Sequence, residues 1–199
     1  FFELLRLRGF NLTDKTSSDY IRMLDSGGGD EESSRIFNAI MGRLFRKHDL
    51  GEEGSNYVSL QDKRDLAAII SNYRNCSISE YQFGEAADTG KRLNLPRNLL
   101  PMVVEDYQAL KTSMNVIDFD DLMSLVYDYM VVEKEDDPVQ MAWVNFYKNR
   151  YEYFMLDEAQ DMSELQYQVL KPIFENCPRV VIVGDPDQSI YGFRGSNPE

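Results

Sequence analysis

Apolar residues recur at helical spacing through most of the first 150 positions. Positions 1, 2, 4, 5 and 7 predict an opening helix over 1–8, closed by Gly9. A short second helix is expected over 18–24, followed by a break at Gly27-Gly28-Gly29. Asp30 then stands where a cap belongs. Beyond it Ile36, Phe37, Ile40, Met41, Leu44 and Phe45 form one apolar stripe. After a loop over 51–56, the pattern predicts helices over 59–73, 99–113, 118–130 and 138–148. The last carries the start signal of Asp137 at the cap and Pro138 at the first helical position.

The pattern changes after Arg150. Tyr153-Phe154-Met155-Leu156 is a short apolar run that ends in acid, and Val180-Val181-Ile182-Val183 is another that ends in Gly184-Asp185. Between them Ser163 and Gln166 are placed as a capping box for a helix that Pro172 is expected to bend or end. Strand, helix and strand in so short a stretch is the signature of a parallel sheet. The expected class is α/β, a mostly helical segment leading into part of a parallel-sheet core. No internal repeat or low-complexity tract interrupts it.

Composition narrows the classes. With 43% hydrophobic and 28% charged residues, the chain has the balance of a folded globular protein. No apolar run approaches the roughly 20 residues that cross a bilayer, and Arg6 and Arg8 break the opening stretch that a signal peptide would need. A cytoplasmic location without membrane contact is the expectation. Cys76, Cys177 and the single histidine, His48, cannot assemble a zinc site, so two free thiols are expected. The net charge of -13 excludes a surface that grips nucleic acid throughout. Any DNA contact must be local. Arg43, Arg46 and Lys47 on one helix, and the Lys91-Arg92 pair, are the local basic spots.

Two segments carry candidate chemistry. In an open parallel sheet, ligands bind beyond the carboxyl ends of the strands. Asp157 and Glu158 stand at such an end, where one acid can order a magnesium ion and the other orient an attacking water. Acid pairs after apolar runs also arise by chance, as solvated surface. The second segment, Gly184-Asp185-Pro186-Asp187-Gln188-Ser189-Ile190-Tyr191-Gly192-Phe193-Arg194-Gly195, follows the next strand. Gly184 and Pro186 shape a tight turn. Gln188 can hydrogen-bond a phosphate oxygen or a water. Tyr191 and Phe193 beside Arg194 suit stacking of single-stranded bases, although aromatic spacing alone fits a core equally well.

Together these segments resemble one family. Asp157-Glu158-Ala159-Gln160-Asp161 is similar to motif II, and the segment from Gly184 to Gly195 to motif III, of the superfamily 1 DNA helicases of the UvrD/Rep/PcrA type. Ile117-Asp118-Phe119-Asp120-Asp121-Leu122 resembles a further segment that precedes motif II in that family. The resemblance is sharp from Asp118 to Gly195 and vague before it.

The resemblance implies an ATP- and magnesium-dependent motor that moves on single-stranded DNA, usually 3′ to 5′, and unwinds duplex DNA. Asp157 would hold the metal and Glu158 would act as general base. Gln160 and Gln188 would sense the γ-phosphate, with Asp161 and Asp185 also on the nucleotide side. Tyr191, Phe193 and Arg194 would meet the single strand. The family often has Trp where Phe193 stands, and the change keeps a stacking face but loses an N–H donor. For the acids from Asp118 to Asp121 the residues suggest only a helix cap, with Phe119 in the core.

By family order, 1–26 would belong to the first RecA-like core, 27–115 to a helical insert and 116–199 to the core again. No G-x-x-x-x-G-K-[ST] stretch occurs, so no loop here can wrap the β- and γ-phosphates. The chain starts at Phe1 and stops just past motif III, as a cut piece would, and should be inactive by itself. The remaining helicase domains are its expected partners. Three alternatives stand beside this reading. An Upf1-like helicase would continue after Gln188 with Leu-Pro-Pro, where this chain has Ser189-Ile190-Tyr191. An AddA- or RecB-like helicase-nuclease would keep its nuclease elsewhere. A regulatory or DNA-binding module would have kept the fold without the ATPase.

Overall fold

The computed structural model describes residues 11, 14, 15, 17, 20–24, 30–51, 57–75, 93–132, 137–185 and 187. The expected opening helix and the glycine break lie outside these residues. The described part falls into two compact units. Residues up to Phe119, apart from Arg74 and Asn75, make the first; Arg74, Asn75 and the residues from Asp120 onward make the second.

In the first unit, β1 (Arg22–Met23) pairs in parallel with β2 (Val116–Ile117), Arg22 opposite Val116 and Met23 opposite Ile117. The Arg22 N–H donates to the Asn115 carbonyl at 3.0 Å and the Leu24 N–H to the Ile117 carbonyl at 2.7 Å. The helix expected over 18–24 is therefore not formed. Its apolar residues are claimed by a strand partner far away in sequence, a tertiary pairing that local spacing does not register.

Helix α1 (Glu31–His48) begins as expected, with the Ser33 N–H donating to the Asp30 carboxylate at 2.6 Å. Glu31 and Glu32 in its first turn and Arg46, Lys47 and His48 in its last complement the helix dipole. Phe37, Ile40, Met41, Leu44 and Phe45 are buried, while Ile36 is half-buried. Helix α2 (Leu60–Asn75) buries Leu66, Ile69 and Ile70. Helix α3 (Leu100–Ser113), entered through a 3-10 turn at Arg97–Leu99, packs against α1 and buries Leu100, Val103 and Tyr107. Each such side chain contributes about 1.5–3 kcal/mol on burial. Lys111 on the same face is only 1% exposed. Its ammonium lies 2.6 Å from the Asp118 carboxylate, which also accepts from the Tyr107 hydroxyl at 2.9 Å.

α4 (Phe119–Met130) opens on the last residue of the first unit and runs on in the second, where it buries Leu122, Val126, Tyr129 and Met130. Phe119, expected in the core, is 69% exposed. Polar anchors set the backbone path there and leave the ring outside. Asp118 is held by Lys111 and Tyr107, Asp120 accepts from Asn75 at 2.8 Å, and Asp121 accepts from Arg74 at 2.7 Å.

Helix α5 (Pro138–Lys148) has the expected bounds, and Asp137 accepts from the Val139 and Gln140 N–H groups. The buried Gln140 amide donates to the carbonyls of Asp128, Tyr129 and Val132, closing the C-terminus of α4. Trp143 meets Tyr129 edge-on at 5.5 Å and Tyr147 at 4.4 Å.

β3 (Phe154–Leu156), α6 (Glu164–Phe174) and β4 (Val180–Ile182) make the expected βαβ unit. The strands are parallel, with Phe154 opposite Val180, Met155 opposite Val181 and Leu156 opposite Ile182. Ser163 and Gln166 form a complete capping box. Pro172 does not end α6, which runs two residues further to Phe174. Among the described residues no helix is long and apolar enough to cross a membrane.

Candidate functional site

The carboxyl ends of β3 and β4 lie side by side because the two strands are parallel and in register. β3 delivers Asp157 and Glu158 there, and β4 delivers Gly184 and Asp185. The backbone ties the ends together. The Val183 N–H donates to the Leu156 carbonyl at 2.8 Å, and the Ala159 N–H donates back to the Val183 carbonyl at 2.9 Å.

Asp157 and Glu158 are both exposed. Asp157 Oδ1 accepts the Glu158 N–H at 2.9 Å, which fixes the carboxylate at the strand end. Glu158 has φ 53° and ψ 43°, in the left-handed region. That conformation costs a residue with a Cβ about 1–3 kcal/mol and persists only where surrounding bonds over-determine it. Asp49, Asn94 and Asn115 share it among the described residues, but those types tolerate it well. The turn at Glu158 throws its side chain off the strand direction. A 3-10 turn over Ala159–Asp161 follows.

Gln160 occupies the centre of the site and is 5% exposed. Its Nε2 donates to Glu158 Oε2 at 2.6 Å, and its Oε1 accepts the Asp185 N–H at 2.9 Å. The reversed amide would set two donors against each other at Asp185 and two oxygens at Glu158, so the pairing fixes its orientation. A Cβ on Gly184 would come within 2.7 Å of Gln160 Oε1 and 3.1 Å of the Ala159 nitrogen. This approach, and no unusual backbone angle, is what favours glycine here. Asp161 Oδ1 is buried without a hydrogen-bond partner among the described residues. Asp185 Oδ1 accepts the Asp187 N–H at 3.0 Å.

The structure thus brings together Asp157, Glu158, Gln160, Asp161 and Asp185. Gln188, Tyr191, Phe193 and Arg194 lie outside the described residues, as do Pro186, Lys91, Arg92 and Cys76. Cys177 is a free, partly exposed thiol. Of the basic residues on α1, Arg43 and Arg46 are exposed, and Lys47 is paired with Asp106 at 2.6 Å. The role of Gly184 as a seat for Gln160, and of Arg74 as the partner of Asp121, has no signal in the sequence.

Mg²⁺ keeps several waters and takes one or two carboxylates together with substrate phosphates. A single exposed aspartate beside a second acid fits that demand. No group of three or more candidate ligands, as an all-protein metal cage requires, occurs among the described residues.

The family model of the UvrD/REP helicase N-terminal domain matches residues 8–199. The chain is 34% identical over 151 residues to the ATP-dependent DNA helicase PcrA of Leuconostoc citreum, which covers 75% of the chain and 18% of that protein. It is 37% identical over 136 residues to the ATP-dependent DNA helicase Rep of Salmonella typhimurium, covering 68% of the chain and 18% of the relative. The RecBCD enzyme subunit RecB of Mycolicibacterium smegmatis is 25% identical over 167 residues, 84% of the chain and 14% of the subunit. The chain therefore spans less than a fifth of the length of these relatives. With nearly its whole length matched, the chain belongs to the UvrD/Rep helicase family, within its N-terminal domain.

Proposed function

We propose that the chain is the part of an ATP-dependent DNA helicase that carries the hydrolytic acids. The whole protein would couple Mg-ATP hydrolysis to 3′–5′ movement on single-stranded DNA and to duplex unwinding. The observation that carries this reading is the pair Asp157 and Glu158, exposed at the end of β3, with Glu158 tied to the end of β4 through Gln160. Asp157 would hold magnesium. The ion, when bound, neutralises charge developing on the phosphates. Glu158 takes the proton from the attacking water. Asp161 and Asp185 frame the nucleotide side, Gln188 contacts the γ-phosphate, and Tyr191, Phe193 and Arg194 stack and pair with the single strand. Residues 1–26 and 116–199 belong to a RecA-like core and 27–115 to a helical insert, with a phosphate-binding loop and an arginine finger supplied by the rest of the protein.

The test is ATP hydrolysis with and without single-stranded DNA, by the complete protein and by this chain. Turnover by the complete protein that Glu158→Gln abolishes, with none by the chain, is expected. Turnover insensitive to Glu158→Gln would remove the general-base assignment. The RecB match over 84% of the chain favours one second reading, a helicase-nuclease subunit. Nuclease activity of the complete protein on linear duplex DNA would select it.

A further inference from the structure

Gln160 has both ends of its amide committed and almost no exposure. A side chain in that state is badly placed to read a nucleotide directly. It is well placed to fix the two groups it touches. One is a carboxylate on a residue in a costly backbone conformation; the other is the first N–H past Gly184. Gly184 lets the amide lie against the backbone beyond β4, because a Cβ there would come within 2.7 Å of Gln160 Oε1.

We propose that Gln160 is a positioning residue that clamps the Glu158 carboxylate to the Asp185 backbone beyond β4, so that the two strand ends move as one piece. The donor end holds Glu158 Oε2 and leaves Oε1 to face the water. The acceptor end makes the aim of Glu158 depend on where the Asp185 backbone stands. This rests on the general-base reading of Glu158, and the test separates the two.

In the complete protein, steady-state ATP hydrolysis saturated with single-stranded DNA gives kcat and KM for Gln160→Ala, Gln160→Glu, Gly184→Ala and Glu158→Gln. Gln160→Ala should lower kcat by about tenfold or more while KM stays within about twofold, because a misaimed acid costs turnover and not binding. Gln160→Glu keeps the length and the acceptor for Asp185 but cannot donate to Glu158. It should lose as much turnover as Gln160→Ala. In a Glu158→Gln background, Gln160→Ala should add little further loss. Gly184→Ala should reproduce the kcat loss by pushing the amide from the opposite side.

A rise in KM that matches the fall in kcat would overturn the clamp in favour of direct nucleotide contact. Full activity of Gln160→Glu would reduce the side chain to a tie for the Asp185 backbone. If Gln160→Ala fails to fold, as read by thermal melting, Gln160→Glu and Gly184→Ala carry the test. Loss of turnover in Glu158→Gln with wild-type kcat in every Gln160 variant would sink the clamp alone. No effect of Glu158→Gln would sink the reading beneath it.

Discussion

At the scale of single residues, the chain places charge where water does not reach. Lys111 is 1% exposed, with its ammonium against Asp118 and 4.6 Å from the Tyr107 ring centroid. Removing one member of such a pair leaves the other as a buried, under-compensated charge. Lys111→Met is expected to destabilise the first unit by about 3–5 kcal/mol, whereas Lys111→Met with Asp118→Leu should cost less. Urea unfolding of the three proteins measures this; equal losses would mean that packing, not charge, is what the position needs. Asp157 and Glu158 were legible because an apolar run ending in acid names its own place at a strand end. The Gln160 clamp was not. Its acceptor contact is with Asp185, which folding brings in from the next strand, and nothing near Gln160 in sequence announces it.

Among the elements, helices with local start signals and strands carried by a continuous apolar run were read well, and the two-residue strands β1 and β2 were not. α5 begins at Pro138 because Asp137 supplies the cap, and α6 begins after Ser163 because the capping box is complete. Ser163→Ala should lower stability by about 1 kcal/mol, seen as a shifted urea midpoint with unchanged slope. β1 was misread as helix because two residues carry no period of their own.

Between α1 and α3, Asp106 accepts from Lys47 at 2.6 Å and meets His48 Nε2 at 2.7 Å. The Lys47 hydrogen bond is the largest cause holding the Asp106 carboxyl below its ordinary value, against burial, with His48 adding to it. A depressed carboxyl stabilises the fold above the unfolded-chain value of about 3.9, and that stability is lost as pH falls through the lower folded value. Lys47→Met should therefore shrink the fall in melting temperature below about pH 4. An unchanged acid limb would assign that fall to other groups.

For the whole molecule, two compact units carry unequal optical signals. Trp143 is the single tryptophan and belongs to the second unit. Its fluorescence reports that unit alone, whereas far-ultraviolet circular dichroism reports helices of both. The two unfolding curves are expected not to coincide, as for separate cooperative units. Superimposable curves would show one cooperative block. The net charge of -13 belongs to this scale too. It opposes DNA binding at long range, so the chain alone should bind a labelled single strand weakly at physiological salt, by fluorescence anisotropy.

The β3–β4 pair has a further consequence, for handling the protein. Among the described residues it is a two-stranded sheet, with Met155 78% exposed and Val180, Val181, Ile182 and Val183 between 39% and 55%. Four consecutive β-branched residues without charge are the composition of a cross-β nucleus, and a bare strand edge is a template for another copy. Concentrated solutions of the chain should therefore deposit thioflavin-positive material that begins at this strand. A lysine in place of Val181 would act as a gatekeeper and lengthen the lag before deposition.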